Sequence, residues 1–259
     1  MKNRISIGLH GSTDPETVAR VAERAERAGF RGLWLNDVPR GDSLAGLASA
    51  AKATSTLRLG SGVIPLDRRP ATEILASIAK HELPAERLTV GIGSGGPKRA
   101  LARVEESVQE IRHGTSAEVM VGALGPKMRA LGARSADGVV LNWVTPVVIG
   151  EIVRELRDAA GTQGTRTVLY TRTILSFDAR SALDTESATY ASYPRYAAYF
   201  QRHGFAAVDA TIDGTAAGAL HDAAKLYLES VDELVLRAIT SSYSAKELLD
   251  FVETAAEVL

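Results

Sequence analysis

The sequence predicts an α/β protein of the (β/α)8 TIM barrel class, and three observations carry that expectation. Short β-branched runs alternate with helical patterns from one end of the chain to the other, and eight such strand-then-helix units can be read. A closed parallel barrel needs that number. The 259 residues are the usual length of one such barrel, and no Pro/Gly/Ser-rich linker or low-complexity tract divides them, so a single domain over 1–259 is expected. Alternation alone does not show closure, which leaves a doubly wound open sheet as the competing architecture.

Residues 4–9 (RISIGL) read as the first strand. Asp14 and Pro15 then supply an N-cap and a first-turn proline. Val18, Val21, Ala22, Ala25 and Ala28 follow at helical spacing, and Gly29 closes the helix. Residues 32–36 (GLWLN) are the second strand. An Ala- and Leu-rich helix over 42–54 leads to the third, 57–64 (LRLGSGVI), and a helix over 71–81 leads to the fourth, 87–92. The rhythm repeats with a helix at 99–112, a strand at 117–121, a helix at 127–134, a strand at 138–141 and a helix at 147–160. The seventh strand is 167–176 (TVLYTRTILS). Residues 178–230 read as mostly helical. About 55 residues exceed an ordinary crossover, so a helical excursion is expected between strands seven and eight. Residues 233–238 (ELVLRA) form the eighth strand. A last helix over 245–258 carries Leu248, Leu249, Val252, Ala255 and Ala256 on one face.

Composition narrows the function. Thirty Lys+Arg against 31 Asp+Glu give a net charge of −1, which supplies no electrostatic attraction for nucleic acid or an anionic membrane. The absence of Cys excludes disulfides, thiolate zinc, iron–sulfur clusters and a Cys nucleophile. His203 and His221 have no metal-ligand spacing, so no metal is expected. The longest apolar run, 139–150, is broken by Asn142 and Pro146, and Met1-Lys2-Asn3-Arg4 leads into a strand pattern rather than a secretory segment. These features predict a soluble cytoplasmic protein.

In a barrel the chemistry gathers at the C-terminal ends of the strands. There lie His10, Asn36-Asp37, Ser61-Gly62-Val63, Gly93-Ser94-Gly95-Gly96, the segment 122–126, Asn142-Trp143, and on the last two strands Arg172 and Arg237. The glycines of 91–96 and 122–125 let backbone N–H groups approach an anion or a flat ring, and they equally suit plain tight turns. No Gly-Lys-Ser/Thr follows either segment, which excludes a Walker loop. Gly91, Gly93 and Gly96 fit a dinucleotide fingerprint literally, but the helix behind them starts late, after Pro97.

Five segments, in order, resemble the bacterial luciferase-like superfamily: 28–37 (AGFRGLWLND), 54–65 (TSTLRLGSGVIP), 87–95 (RLTVGIGSG), 122–128 (GALGPKM) and 136–143 (ADGVVLNW). A weaker likeness extends through 194–205 (PRYAAYFQRHGF). The GPKM and LNW words are most similar to the methylenetetrahydromethanopterin-reductase-like members, which use the deazaflavin coenzyme F420. The resemblance implies a barrel with an isoalloxazine-type ring across its strand ends. It implies a non-prolyl cis peptide at Gly62-Val63, preceded by Ser61, that backs the ring. Phosphate-side contacts are implied at Gly93, Ser94 and Gly95 and at Ala123, Leu124 and Gly125. Asp37 corresponds to an acidic position near the ring, Asn142 to one near the substrate, and a homodimer is expected.

Two departures bear on the chemistry. Sugar-phosphate dehydrogenases of this family have a His after the strand-two Asp and a Glu after the strand-four glycines, where Val38 and Gly96 stand here. Alcohol oxidation through that pair is therefore not expected; reduction of an imine, enone or similar acceptor needs less machinery. The hairpin that normally precedes strand five is shortened to about 114–117, which implies a reduced lid and a more open pocket.

Single residues carry their own alternatives. Asp37 and His10 are the candidates for proton transfer, and His10 equally suits a structural hydrogen bond. Trp143 suits stacking on a ligand or packing under the excursion. Tyr190, Tyr193, Tyr196 and Tyr199, spaced by three, read as a packing stripe. Arg172 and Arg237 need carboxylates or the mouth, and Arg172 could meet an anionic coenzyme arm. Lys127 reads as solvated. The expected activity is F420-dependent hydride transfer, with an FMN-dependent monooxygenase or a shortened non-catalytic flavin-binding protein as alternatives.

Overall fold

A computed structural model describes residues 1–96 and 98–259; Pro97 lies outside the described residues. Eight staves form a closed, all-parallel barrel: β1 (Ile5–Leu9), β2 (Gly32–Leu35), β3 (Arg58–Ser61), β4 (Leu88–Gly93), β5 (Glu118–Gly122), β6 (Gly138–Asn142), β7 (Arg166–Ile174) and β8 (Glu233–Ala238). Closure is made by β8, which pairs with β7 on one side and with β1 on the other, Ile5 opposite Leu234. The open-sheet alternative is thereby excluded. The third stave is not the continuous strand the sequence suggests. It breaks at a cis Gly62-Val63 peptide and resumes as Ile64–Pro65, opposite Ile92 and Gly93.

An outer ring of helices follows the staves: α1 (Pro15–Arg27), α2 (Ser43–Ala53), α3 (Ala71–Lys80), α4 (Ala100–Gly114), α5 (Pro126–Ser135) and α6 (Pro146–Ala160). The excursion comprises α7 (Arg180–Ser192) and α8 (Pro194–His203), then a two-residue strand, Ile212–Asp213, that extends the sheet beside β7. Next come α9 (Ala219–Leu228) and α10 (Ala245–Val258). Because α9 packs against both α6 and α10, it fills the seventh outer position, and only α7 and α8 are additional. Local signals set the helix starts as expected: Asp14 accepts from Thr17 N at 2.9 Å, and Asp42 accepts from Leu44 N and Ala45 N.

The main core lies between staves and helices, with Val18, Val21, Ala22 and Ala25 of α1 fully buried against it. Inside the barrel Trp34, Met120, Val140, Val168, Tyr170 and Val235 fill the middle layer. The N-terminal end is closed by charge. Glu233, 1% exposed, accepts from Ser6 Oγ, from Trp34 Nε1 at 2.7 Å, from Arg31 Nε at 2.9 Å and from Arg166. Glu118 accepts from Arg58, Thr89 and Arg166.

Burial acts to raise the Glu118 carboxyl, but Arg166, Thr89 and Arg58 outweigh it and hold the group below its ordinary 4.5. A depressed folded-state pKa contributes stability that is present above the ordinary value and lost as pH falls below it. The urea midpoint should therefore stay level from pH 7 to about 5 and drop below about 4.5. Glu118→Gln should flatten part of that drop; a slope unchanged by the substitution would refute this account.

One expectation is corrected here. The short connection from α4 to β5, residues 115–117, returns the chain to the N-terminal ends of the strands. It lies on the face opposite the mouth, so its brevity trims the barrel's underside and removes no lid.

Candidate functional site

A cavity of about 920 Å³ occupies the C-terminal mouth of the barrel, within the size range of ligand pockets. Its floor is apolar: Gly62 and Val63 of the stave-three break, Val140 of β6 and Tyr170 of β7. On one side lie the chain leaving β4 and β5 and the first turns of α4 and α5. On the other stand Tyr190, Tyr193 and Tyr196 of the excursion, with Arg172 on β7.

The glycines around this floor have a specific steric reason. A Cβ on Gly93 or Gly122 would come within 2.9 Å of Val63 Cγ2, and one on Gly91 within 3.1 Å of Val63 Cγ1. These glycines make room for the Val63 side chain, which then forms the surface beneath the cavity. Ser61 secures the same break from behind, its Oγ accepting from Gly91 N at 2.9 Å and donating to Gly91 O at 3.2 Å. Gly125 differs: nothing lies within 4 Å of where its Cβ would be, so the start of α5 faces open space.

That side of the cavity is positively polarised. Both α4 and α5 begin without a side-chain cap, and Ala100, Leu101, Lys127 and Met128 of their first turns border the cavity. Helix N-termini carry unclaimed N–H groups and a positive partial charge. Four basic side chains, Lys127, Arg172, Arg195 and Arg202, border the cavity against one acidic residue, Asp37. The cavity therefore combines an apolar floor with a positively polarised side, residues that could hold a flat ring carrying an anionic arm.

The structure brings Asp37, Gly62, Val63, Gly93, Ser94, Gly95, Ala123, Leu124, Gly125 and Asn142 to the cavity. Two of the expected residues stand off it. Ser61 is fully buried and spends its hydroxyl on Gly91, and His10 bonds Ser12 Oγ at 2.6 Å beside the Tyr243 ring. Burial and then Arg237 lower the His10 pKa from 6.5, against Glu186, so the imidazole is neutral at pH 7. Asp37 borders the cavity with its carboxylate already engaged by Arg68, Arg69 and Ser43.

The tyrosine reading needs revision. Tyr199 packs in the core with Phe200, but Tyr190, Tyr193 and Tyr196 form a cavity wall. Their rings meet edge-on, Tyr190 and Tyr196 at 5.0 Å, and the Tyr196 hydroxyl lies 3.4 Å from Asn142 Nδ2. Spacing by three distinguishes a helix face, not which neighbour that face meets. Trp143 packs under this wall, 4.8 Å from Tyr190 and 1% exposed. Lys127 is exposed and also borders the cavity.

Comparison with known proteins agrees with this geometry. The luciferase-like monooxygenase family model matches residues 1–116. A Mycobacterium tuberculosis protein named as a coenzyme F420-dependent oxidoreductase is 28% identical over 141 residues, 50% of this chain and 41% of that protein. A 5,10-methylenetetrahydromethanopterin reductase of Archaeoglobus fulgidus is 28% identical over 171 residues, 52% of this chain and 51% of the reductase. The chain spans about half the length of the curated relatives it matches. The solved coenzyme F420-dependent tetrahydromethanopterin reductase of Methanopyrus kandleri superposes with a TM-score of 0.75 at 17% identity, covering 99% of this chain and 98% of that one. The first 116 residues thus match the luciferase-like model, and over its whole length the chain shares the barrel fold of the reductase.

Proposed function

We propose that the barrel binds a deazaflavin coenzyme of the F420 type and exchanges a hydride between it and a small organic acceptor. The observation that carries this reading is the two-sided cavity: an apolar floor built on Val63, flanked by two uncapped helix starts and a surplus of basic side chains. When bound, the coenzyme supplies or takes the hydride. The chain's own residues do the rest. Val63, Gly62 and Tyr170 would support the ring, and the first turns of α4 and α5 with Lys127, Arg195 and Arg202 would hold the anionic arm. The tyrosine wall shields the reacting face from bulk water, and Asn142, held beside Tyr196, offers an amide to the acceptor.

Proton transfer falls to water in this reading. Asp37 has its oxygens taken by arginines, and His10 stands off the cavity. Val38 and Gly96 occupy the places where the resemblance would put an acid/base pair, so reduction of a polarised double bond is favoured over alcohol oxidation. The same reading takes the protein as a cytoplasmic homodimer that binds neither nucleic acid nor membrane. No helix among the described residues is long and apolar enough to cross a bilayer.

Paired fluorescence titrations with F420 and with FMN test the proposal. F420 should bind saturably and FMN at least about tenfold more weakly, and F420 affinity should fall with added salt as the basic rim is screened. Arg195→Ala with Arg202→Ala should weaken F420 severalfold and flatten that salt dependence. Preference for FMN would move the assignment to the monooxygenase alternative. Binding of neither coenzyme would end the reading.

A further inference from the structure

The mouth of the barrel encloses more positive than negative charge. Arg172, 3% exposed, borders the cavity with its guanidinium against two adjoining rings, 4.2 Å from the Trp143 centroid and 4.6 Å from that of Tyr190. Its Nε donates to Glu186 Oε1 at 2.9 Å, and its Nη1 has no hydrogen-bond partner among the described residues. On the neighbouring stave Arg237, 1% exposed, turns to the same carboxylate. Its Nη2 lies 3.9 Å from Glu186 Oε2, too far for a hydrogen bond, and is likewise unpartnered.

Two buried guanidiniums thus share one carboxylate. His10, Tyr170, Tyr196 and Tyr243, which also face them, are neutral near pH 7 and cannot balance the second charge, and the remaining neighbour, Tyr190, meets Arg172 with its ring face. A buried cation without a counter-charge is costly. Of the two arginines only Arg172 reaches the cavity, so the missing negative charge has one place from which to come. The coenzyme's anionic arm is already provided for at α4 and α5, and β6 separates that side from β7.

We infer that the acceptor reduced at this site carries a carboxylate, which seats on Arg172 beside the tyrosine wall. This rests on the proposed hydride-transfer function and names its substrate class. A planar guanidinium held against Trp143 and Tyr190 and tied at Nε to Glu186 is preorganised for a planar carboxylate, and the buried, unpartnered Nη1 supplies a donor. Glu186 competes for the same guanidinium, so it sets how strongly the seat attracts an anion.

The test uses benzoate and benzamide, two planar probes of one shape and different charge, titrated calorimetrically into the protein with and without F420. Benzoate should bind the F420-loaded protein at least about tenfold more tightly than benzamide. Arg172→Gln should abolish the difference, and Arg172→Lys should restore part of it. Glu186→Gln should strengthen benzoate binding severalfold, whereas a merely structural Glu186 would weaken it when replaced. Should Arg172→Gln fail to fold, the Lys variant and Glu186→Gln decide alone. Equal binding of the two probes, or indifference to Arg172 and Glu186, would overturn the inference. Displacement of F420 by benzoate would assign the anion seat to the coenzyme and overturn it as well. Failure of F420 itself to bind would sink the proposed function, while benzoate titrated into the coenzyme-free protein would still show whether Arg172 holds an anion.

Discussion

Gly91→Ala is expected to cost about 3 kcal/mol or more of folding stability and to lower the melting temperature by about 6–12 °C. The new Cβ would stand 2.1 Å from the carbonyl oxygen of Ser61, a backbone atom of the stave beside it, so no side-chain rotation relieves the clash. Moving that carbonyl also parts the paired Ser61–Gly91 hydrogen bonds that fix the stave-three break against β4. The damage reaches the cavity, because Val63 follows directly and forms its floor. F420 binding should weaken even in the fraction that remains folded. Differential scanning calorimetry with a parallel coenzyme titration checks both parts; a melting temperature within about 2 °C of the parent would show that the break is not held this way.

Glu233→Gln should be equally severe for stability and harmless to the site. Glu233 receives Ser6, Trp34, Arg31 and Arg166 at the closed end of the barrel, and its removal as a charge leaves Arg166 with Glu118 alone. Breaking a buried pair from one side costs about 3–5 kcal/mol, since the surviving charge stays buried. Urea denaturation should show a lower midpoint with an unchanged slope. The folded variant should give the same F420 titration as the parent, because the middle layer of Trp34, Met120, Val168 and Val235 lies between the two ends. A loss below about 1 kcal/mol would mean that water or a shifted Arg31 replaces the carboxylate.

Much of the barrel was legible because its signals are local. Asp14, Pro15 and Gly29 bracket the first helix by their own capping chemistry, and the β-branched runs between helices place the staves. Closure was not local, since Ile5 meets Leu234 across almost the whole chain. The split of the third stave was foreseen only through family resemblance; nothing in LRLGSGVI marks Gly62-Val63 as different from a strand. The candidate site was legible where it consists of backbone at strand ends, as at Gly93–Gly95 and 123–125. It was not legible where it depends on which elements meet. The tyrosine wall, and the placing of Glu186 between Arg172 and Arg237, arise only when α7 folds over β7 and β8. The shortened connection before β5 was misjudged because sequence gives a loop's length and not the face it occupies.

The space that three glycines leave for Val63 has a consequence for how this sequence can change over evolutionary time. Positions 63, 93 and 122 share one small volume, so their substitutions are not independent. Gly122→Ala alone should be harmful, yet Val63→Ala removes the methyls it would strike, and the pair together should be milder than the sum of its parts. Gly91 belongs to the group only through Cγ1 and remains bound by the Ser61 carbonyl, so no change at 63 frees it. Descendants of this chain are thus expected to trade bulk between 63, 93 and 122 while holding 91 fixed, leaving a covariation signature that a phosphate-binding glycine loop would not.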